Sequence, residues 1–384
     1  MCYAINNTEH IAGEMTQISK RLGTEKIINE LEKVTGTQVD RCQRTLNLFL
    51  KEAYSNIANS THNLIEKLGN QMCPAVCSLL QEDIAAINEK RSKLCEYLEK
   101  SLDILKYKTL AECFNKIFAV IWEKTCSALK YVTLENVGKR LPEAYFQKIQ
   151  RIMEELHNTF FRDGMTAAGS VGYHNTDFQE VEALTKIHGA STADLMLMYA
   201  NERLQQQRAM NTEIVEHGVL TFRTAYCEEN EILHVEILNC RDLKSCDSDG
   251  FNDPYVKLHM IPRERYPNIK KKTPAERKTL FPLFDKTFTF PLTHQEKHQG
   301  GIIRFVVKDY DLFGKNDFIG EAFQSLESIR LKSLDTELQV LPQISIILSK
   351  PDKELETVLQ SLERRVWDPL ALQFARKERA KQAQ

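Results

Sequence analysis

The sequence has almost no net charge, no long apolar runs and few prolines in its first half, and each shortage excludes something. Lysine plus arginine number 51 against 53 aspartate plus glutamate, a formal net charge of −2 over 384 residues. Without a global positive field there is no electrostatic case for nucleic-acid binding, so any charge-based function must be local. No stretch approaches the ~20 apolar residues of a membrane-spanning helix. The opening Met1-Cys2-Tyr3-Ala4-Ile5-Asn6-Asn7 turns polar too soon for a secretory signal. The ten cysteines are scattered, and the nearest groupings, Cys73 with Cys77 and Cys240 with Cys246, have no second Cys or His pair at zinc spacing. Reduced thiols in a cytoplasmic protein are the expectation. Kinase loop, Gly-x-Ser-x-Gly elbow, Walker and metalloprotease motifs are missing too, so an enzyme is not expected.

Proline use divides the chain. Only Pro74 and Pro142 precede residue 218, and the other nine follow it. In the first part apolar residues recur at three-to-four spacing: Leu46, Leu50, Ile57, Leu64 and Leu68, then Val76, Leu80, Ile84, Leu94, Leu98, Leu102 and Leu105, then Phe114, Ile117, Ile121 and Trp122. That periodicity predicts helices packed through one face. Pro74 is expected to restart a helix, since its missing N–H costs nothing in a first turn. Another helix opens at Pro142, and Ser191-Thr192-Ala193-Asp194 resembles a capping box for one more through Gln207. Glu154-x-x-His157 has no second copy to complete a di-metal site, so the stripes read as an elongated bundle core.

Two stretches, Glu96-Tyr97-Leu98-Glu99-Lys100-Ser101-Leu102 through Phe114-Asn115-Lys116-Ile117-Phe118-Ala119-Val120-Ile121-Trp122-Glu123, and Leu156-His157-Asn158-Thr159-Phe160-Phe161, resemble the second homology segment of the MUN domain. That domain is the helical rod of the uncoordinated-13 family of vesicle-priming proteins. The resemblance implies that the chain begins inside a longer rod, as a C-terminal fragment or short isoform. It also implies engagement of syntaxin-like SNARE proteins.

After Gly218 short alternating runs take over, such as Ile232 to Leu238, Pro254 to Leu258, Ile302 to Val307 and Ile344 to Leu348, separated by turn formers. They predict a β-sandwich. Two aspartate clusters fall in its loops: Asp247-Ser248-Asp249-Gly250-Phe251-Asn252-Asp253, and Asp309-Tyr310-Asp311-Leu312-Phe313-Gly314-Lys315-Asn316-Asp317. One acidic loop is ordinarily a solvated turn. Two on one sandwich are what a hard cation with six to eight oxygen ligands requires.

These clusters resemble the C2 domain family. Asp247 and Asp253 are six apart, Asp309 and Asp311 two, and Asp311 and Asp317 six, and the words Asn252-Asp253-Pro254-Tyr255-Val256 and Asn316-Asp317-Phe318-Ile319-Gly320 agree as well. The resemblance implies five calcium-ligating aspartates, Asp247, Asp253, Asp309, Asp311 and Asp317, holding two or more calcium ions. It also places the chain in an uncoordinated-13 branch whose C-terminal C2 domain keeps all five acids. Two calcium ions would return four positive charges to a tip carrying five negative ones, an electrostatic switch for anionic phospholipid. Phe251, Leu312, Phe313 and Lys315 are the expected membrane contacts. Lys270, Lys271 and Lys272, with Arg277 and Lys278, are the expected phosphoinositide contacts, as lysine-rich strands are in many C2 domains.

The expected architecture is therefore α then β. A helical MUN-like segment spans 1–212, with the second homology segment at about 70–185. An eight-stranded antiparallel C2 sandwich spans 216–350, and a basic helical tail split at Asp368-Pro369 spans 351–384. The tail is expected to dock on rod or sandwich. The expected function is calcium- and phospholipid-dependent tethering or priming in exocytosis or endosomal trafficking, with peripheral recruitment to plasma membrane, secretory vesicles or endosomes. The alternative is a scaffold or lipid-signalling adaptor whose membrane binding ignores calcium.

Overall fold

The computed structural model describes residues 1–21, 23–35, 39–86, 91–161, 175–210, 214–246, 250–266, 270–312, 316–351 and 356–382. The chain divides into two compact units, Met1–Gly189 and Ala190–Gln384.

The first unit is helical: α1 (Cys2–Arg21), α2 (Thr24–Thr35), α3 (Val39–Ala85), α4 (Lys93–Lys108), α5 (Ala111–Val137), α6 (Glu143–Phe161) and α7 (Thr176–His188). The periodic residues make its core, where Leu80, Leu94, Leu98, Ile117, Leu129, Ile149 and Phe160 are all at most 1 % exposed. Trp122 packs between Phe160 and Phe178, with ring centroids 4.8 and 5.2 Å away. Asp83, near the end of α3, accepts the amide hydrogens of Lys93 and Leu94 at 2.9 and 3.0 Å and the hydroxyl of Ser92. A carboxylate there satisfies orphan donors of α4 and favours its positive end.

Pro74 does not restart a helix, because α3 runs through it. An interior proline loses one hydrogen bond and costs about 3 kcal/mol. Ile65, Met72, Val76 and Leu80 are buried on both sides of it, and that continuous apolar face offsets the loss. One turn earlier a Cβ on Gly69 would lie 2.8 Å from Val120 Cγ1, so α3 and α5 pack too closely there for any larger residue.

The second unit opens with α8 (Thr192–Ala209), capped by Ser191, whose Oγ accepts the Asp194 amide hydrogen. The strands are β1 (Val219–Cys227), β2 (Ile232–Arg241), β3 (Pro254–Ile261), β4 (Lys270–Lys272), β5 (Leu283–Pro291), β6 (Ile302–Asp309), β7 (Phe318–Ser325), β8 (Leu331–Lys332) and β9 (Ile344–Ile347), with a short α9 (His294–Lys297) after β5. One sheet runs β5-β2-β1-β8 with β9 also on β1, and the other runs β4-β3-β6-β7. Alternation along each strand sends Phe222, Val235 and Ile237 inward from the first sheet, against Val256, Leu258 and Phe305 of the second. The Phe222 and Phe305 rings meet at 4.5 Å. This is the sandwich the alternating runs predict, with helices before and after it.

The outer face of the second sheet is covered by helices. Met196, Ala200 and Leu204 of α8 pack on Ile261, Ile302 and Phe323. The tail forms α10 (Glu356–Arg364) and α11 (Pro369–Gln382). Asp368 caps α11 by accepting from the Leu370 amide and receives the Thr192 hydroxyl at 2.6 Å, which ties the tail to the start of α8. Phe374 meets Tyr199 edge-on at 5.4 Å.

Beneath these helices lies a buried ion cluster. Arg304 of β6 donates to Glu321 of β7 at 3.0 Å and to Glu378 of α11 at 2.9 Å. Lys381 reaches both carboxylates at 3.0 and 3.1 Å, and Arg203 of α8 stands 3.4 Å from Glu321. Burial raises the Glu321 carboxyl, but Arg304, Lys381 and Arg203 outweigh it and hold it at about 2. Basic residues of the tail thus face inward or sideways: Lys381 into this cluster, and Arg379 onto Glu356 and Glu363. No described helix is long and apolar enough to cross a membrane.

Candidate calcium site and cationic face

The acidic end of the sandwich is set by strand register. Pro254, the first residue of β3, pairs with Asp309, the last of β6. Asp253 and Asp309 therefore leave the sheet side by side. The Asp253 amide donates to Asp309 Oδ1 at 2.6 Å, and the Tyr310 amide donates to the Asp253 carbonyl at 3.0 Å. Asp317, directly before β7, accepts the Asp309 amide hydrogen on its carbonyl at 3.0 Å. Asp311 lies two residues beyond the end of β6, half-buried, while Asp309 is 1 % exposed.

The fourth segment at this end is pinned by Asn252. Its side chain donates to the Lys244 carbonyl and accepts from the Cys246 amide, both at 2.8 Å, which closes the base of the first acidic loop. Asp253 Oδ1 takes the Lys278 amide hydrogen at 2.8 Å.

Asp253, Asp309 and Asp317 are thus brought to one edge through their backbones. Among the described residues no group of three His, Cys, Asp or Glu side chains converges closely enough to hold a metal. Asp247, the first acid of the pattern, lies outside the described residues, as do Phe313 and Lys315. The donors at this edge are hard carboxylate and carbonyl oxygens, the set that calcium takes and that soft or imidazole-seeking metals do not. Asp253, Asp309, Asp311 and Asp317 would supply ligands on that chemistry. Beside them Phe251 is 48 % and Leu312 80 % exposed, apolar side chains turned to solvent next to the acids.

The basic residues separate into two groups. β4 pairs with β3 so that Lys272 faces Lys257 and Lys270 faces His259, placing Lys270 and Lys272 on the outer face of the second sheet. Lys257 and Lys272 stand 5.4 and 5.9 Å from the centre of the Tyr255 ring. Lys271 pairs with Leu258, whose side chain points to the core, so it belongs to the opposite side. Arg277 and Lys278, both exposed, lie on the segment joined to Asp253.

Sequence reasoning missed the rest of the cationic face. A cavity of about 490 Å³ opens between the second sheet and α11, and Lys257, Arg263, Lys270, Lys308 and Lys377 line it with few acids. Burial and then Lys257 and Lys381 push the Lys308 ammonium down, and burial with Arg263 and Lys270 does the same to Lys377. Crowded cations that depress one another accommodate an anion well. Lys257 and Lys308 could have been found from alternation in Tyr255-Val256-Lys257 and Val306-Val307-Lys308. Lys377 could not, because nothing local ties the tail to this face.

A family model described as the C2 domain matches residues 231–341. Protein unc-13 homolog 4B of Drosophila melanogaster is 30% identical over 387 residues, covering 98% of this chain and 32% of that protein. Human protein unc-13 homolog D is 26% identical over 394 residues, covering all of this chain and 35% of the relative. BAI1-associated protein 3 of Mus musculus is 23% identical over 371 residues, covering 95% of this chain and 32% of that protein. The chain therefore spans about a third of the length of these relatives.

Proposed function

We propose that this chain, which belongs to the unc-13 family and carries a C2 domain, is a membrane-tethering module of exocytosis or vesicle trafficking whose C2 tip docks on anionic membrane when calcium binds. The observation that carries the reading is the register of β3 and β6, which sets Asp253 and Asp309 side by side with Asp317 adjoining and exposed Phe251 and Leu312 next to them. Carboxylates there repel an anionic surface, and bound calcium supplies the compensating positive charge. Phe313 and Lys315, which follow Leu312 in sequence, are assigned to the same membrane contact, and Asp247 is assigned as the fifth ligand.

The cationic face is the second part of the reading. Lys257, Lys270 and Lys272 offer phosphoinositide headgroups a sheet surface, with Arg277 and Lys278 on the segment joined to the tip and Lys271 turned to the opposite side, at roughly 1 kcal/mol per basic residue near an anionic surface. The helical unit is assigned the MUN-like role of engaging syntaxin-like SNARE helices, on its sequence resemblance to that domain. The module is read as a tether without enzymatic activity, recruited peripherally to its membranes.

One observation favours a calcium-independent scaffold: Asp253 and Asp309 already hold backbone amides in the fold. Cosedimentation with phosphatidylserine vesicles separates the two readings. The calcium switch requires that the wild-type chain pellet with vesicles only when calcium is added and that the double variant Asp309→Asn/Asp311→Asn lose this response. Equal binding in chelator and calcium would establish the scaffold instead.

A further inference from the structure

The segment between β4 and β5 carries an apolar pair that the aspartate pattern does not include. Phe281 is 63% exposed and Leu283 62% exposed. Pro282 between them and Phe284 after them are buried, so the period of two turns Phe281 and Leu283 to the same outward side. Leu283 is the first residue of β5, an edge strand of its sheet.

The pair is joined to the acidic tip through backbone. Lys278 takes a left-handed φ of 51°, a conformation L-residues rarely occupy, and its amide is held by Asp253 Oδ1 at 2.8 Å. The Thr279 amide donates to the Asn252 carbonyl at 2.8 Å, next to exposed Phe251. The Leu280 carbonyl accepts from Leu243 and the Pro282 carbonyl from Cys240, which locks the segment against the end of β2. A carboxylate expected to ligate calcium is therefore the same group that orients the turn leading to Phe281.

We infer that Phe281 and Leu283 form a third membrane-inserting element of the C2 tip, taking anionic lipid as their occupant and acting together with Phe251 and Leu312. The inference rests on the membrane-docking reading above. Two features select lipid over a protein partner or a second copy: backbone bonds tie the segment to Asn252 and Asp253 beside exposed Phe251, and three exposed cations, Arg277, Lys278 and Lys286, lie near the pair in sequence against one exposed acid, Asp285. An apolar pair flanked by more cations than acids suits an anionic bilayer, whose acyl region accepts the pair while its headgroups meet the basic side chains.

The test uses the full chain with vesicles of phosphatidylcholine and phosphatidylserine in calcium. The double variant Phe281→Ser/Leu283→Ser is expected to bind at least about tenfold more weakly than wild type, since incomplete burial of two such side chains accounts for that ratio. The single variant Phe281→Trp keeps the apolar pair and reports depth: its added fluorescence should be quenched by brominated acyl chains only when calcium is present. Wild-type binding with an unimpaired double variant and no added quenching overturns the inference and leaves the docking reading standing. Wild-type failure to bind overturns both. Loss of self-association in the double variant, with vesicle binding intact, would assign the pair to a second copy and also overturn it.

Discussion

Replacing Arg304 with methionine removes the centre of the buried cluster and leaves its partners in place. Arg304 is 2% exposed, and its two carboxylate partners, Glu321 and Glu378, are 0 and 2% exposed. Lys381 remains within 3.0 and 3.1 Å of both, but the guanidinium that bridged β6, β7 and α11 is gone. Removing one member of a buried ion pair costs about 3–5 kcal/mol, because the remaining charge is left under-compensated. For a unit of this size each kcal/mol lowers Tm by about 2–4 °C, so Arg304→Met should lower it by about 10 °C in scanning calorimetry. The pH dependence has a sign as well. Glu321 is now held low only because its cations outweigh burial; without Arg304, burial raises its folded pKa, and such a carboxyl stabilises when protonated and loses that contribution as pH rises. The defect should therefore be smaller at pH 5 than at pH 7.5. Glu378→Leu added to Arg304→Met should restore part of the loss. A single-variant defect below about 1 kcal/mol, or one independent of pH, would refute the idea that this cluster clamps the tail to the sheet.

Other consequences are smaller. Asp368→Ala removes the cap of α11 and its tie to Thr192, and should cost about 1–2 kcal/mol in urea unfolding; an unchanged midpoint would show that the tail is not anchored there. His217, His234 and His259 are all lowered by burial, His259 further by Arg304, Lys381 and Arg263. Because the unfolded chain binds more protons below about pH 6.5, stability present above that value is lost as pH falls, by up to about 1.4 kcal/mol per pH unit for each histidine. Melting curves between pH 7.5 and 5.5 that stayed flat would contradict this. Lys257→Gln and Lys270→Gln should each weaken binding to phosphoinositide vesicles about fivefold and flatten its salt dependence, with little change on vesicles lacking inositides.

The strands of the sandwich and its acidic end were legible because they depend on local signals: period-two alternation, turn residues and aspartates at fixed spacing. Asp253 and Asp309 meet through register, which follows from where β3 begins and β6 ends. The continuity of α3 through Pro74 was not legible, since the local preference of proline is overridden by apolar contacts on both sides. Docking of the tail is expected from its apolar stripe, but the face of the sandwich that it covers is not legible. Arg304 finds Glu378 74 residues further on, and Arg203 finds Glu321 across 118. No periodicity reports such a pairing. The sequence suggested a break at 212–216, where helix gives way to strand, but the compact unit that holds the sandwich begins at Ala190 and includes α8. Long-range charge pairing and packing of α8 on Ile302 and Phe323 draw that helix to the sheet.

Calcium and anionic lipid are expected to bind the same acidic tip and to reinforce each other. Calorimetric titration of the chain with calcium, alone and with vesicles containing phosphatidylserine and a phosphoinositide, measures this directly, since two ligands that favour one another must each lower the other's half-saturation. Weak calcium binding is expected without membrane and half-saturation at least about tenfold lower with it, both abolished by Asp309→Asn/Asp311→Asn. Calcium binding unaffected by vesicles, or vesicle binding that persists unchanged in the double variant, would contradict it.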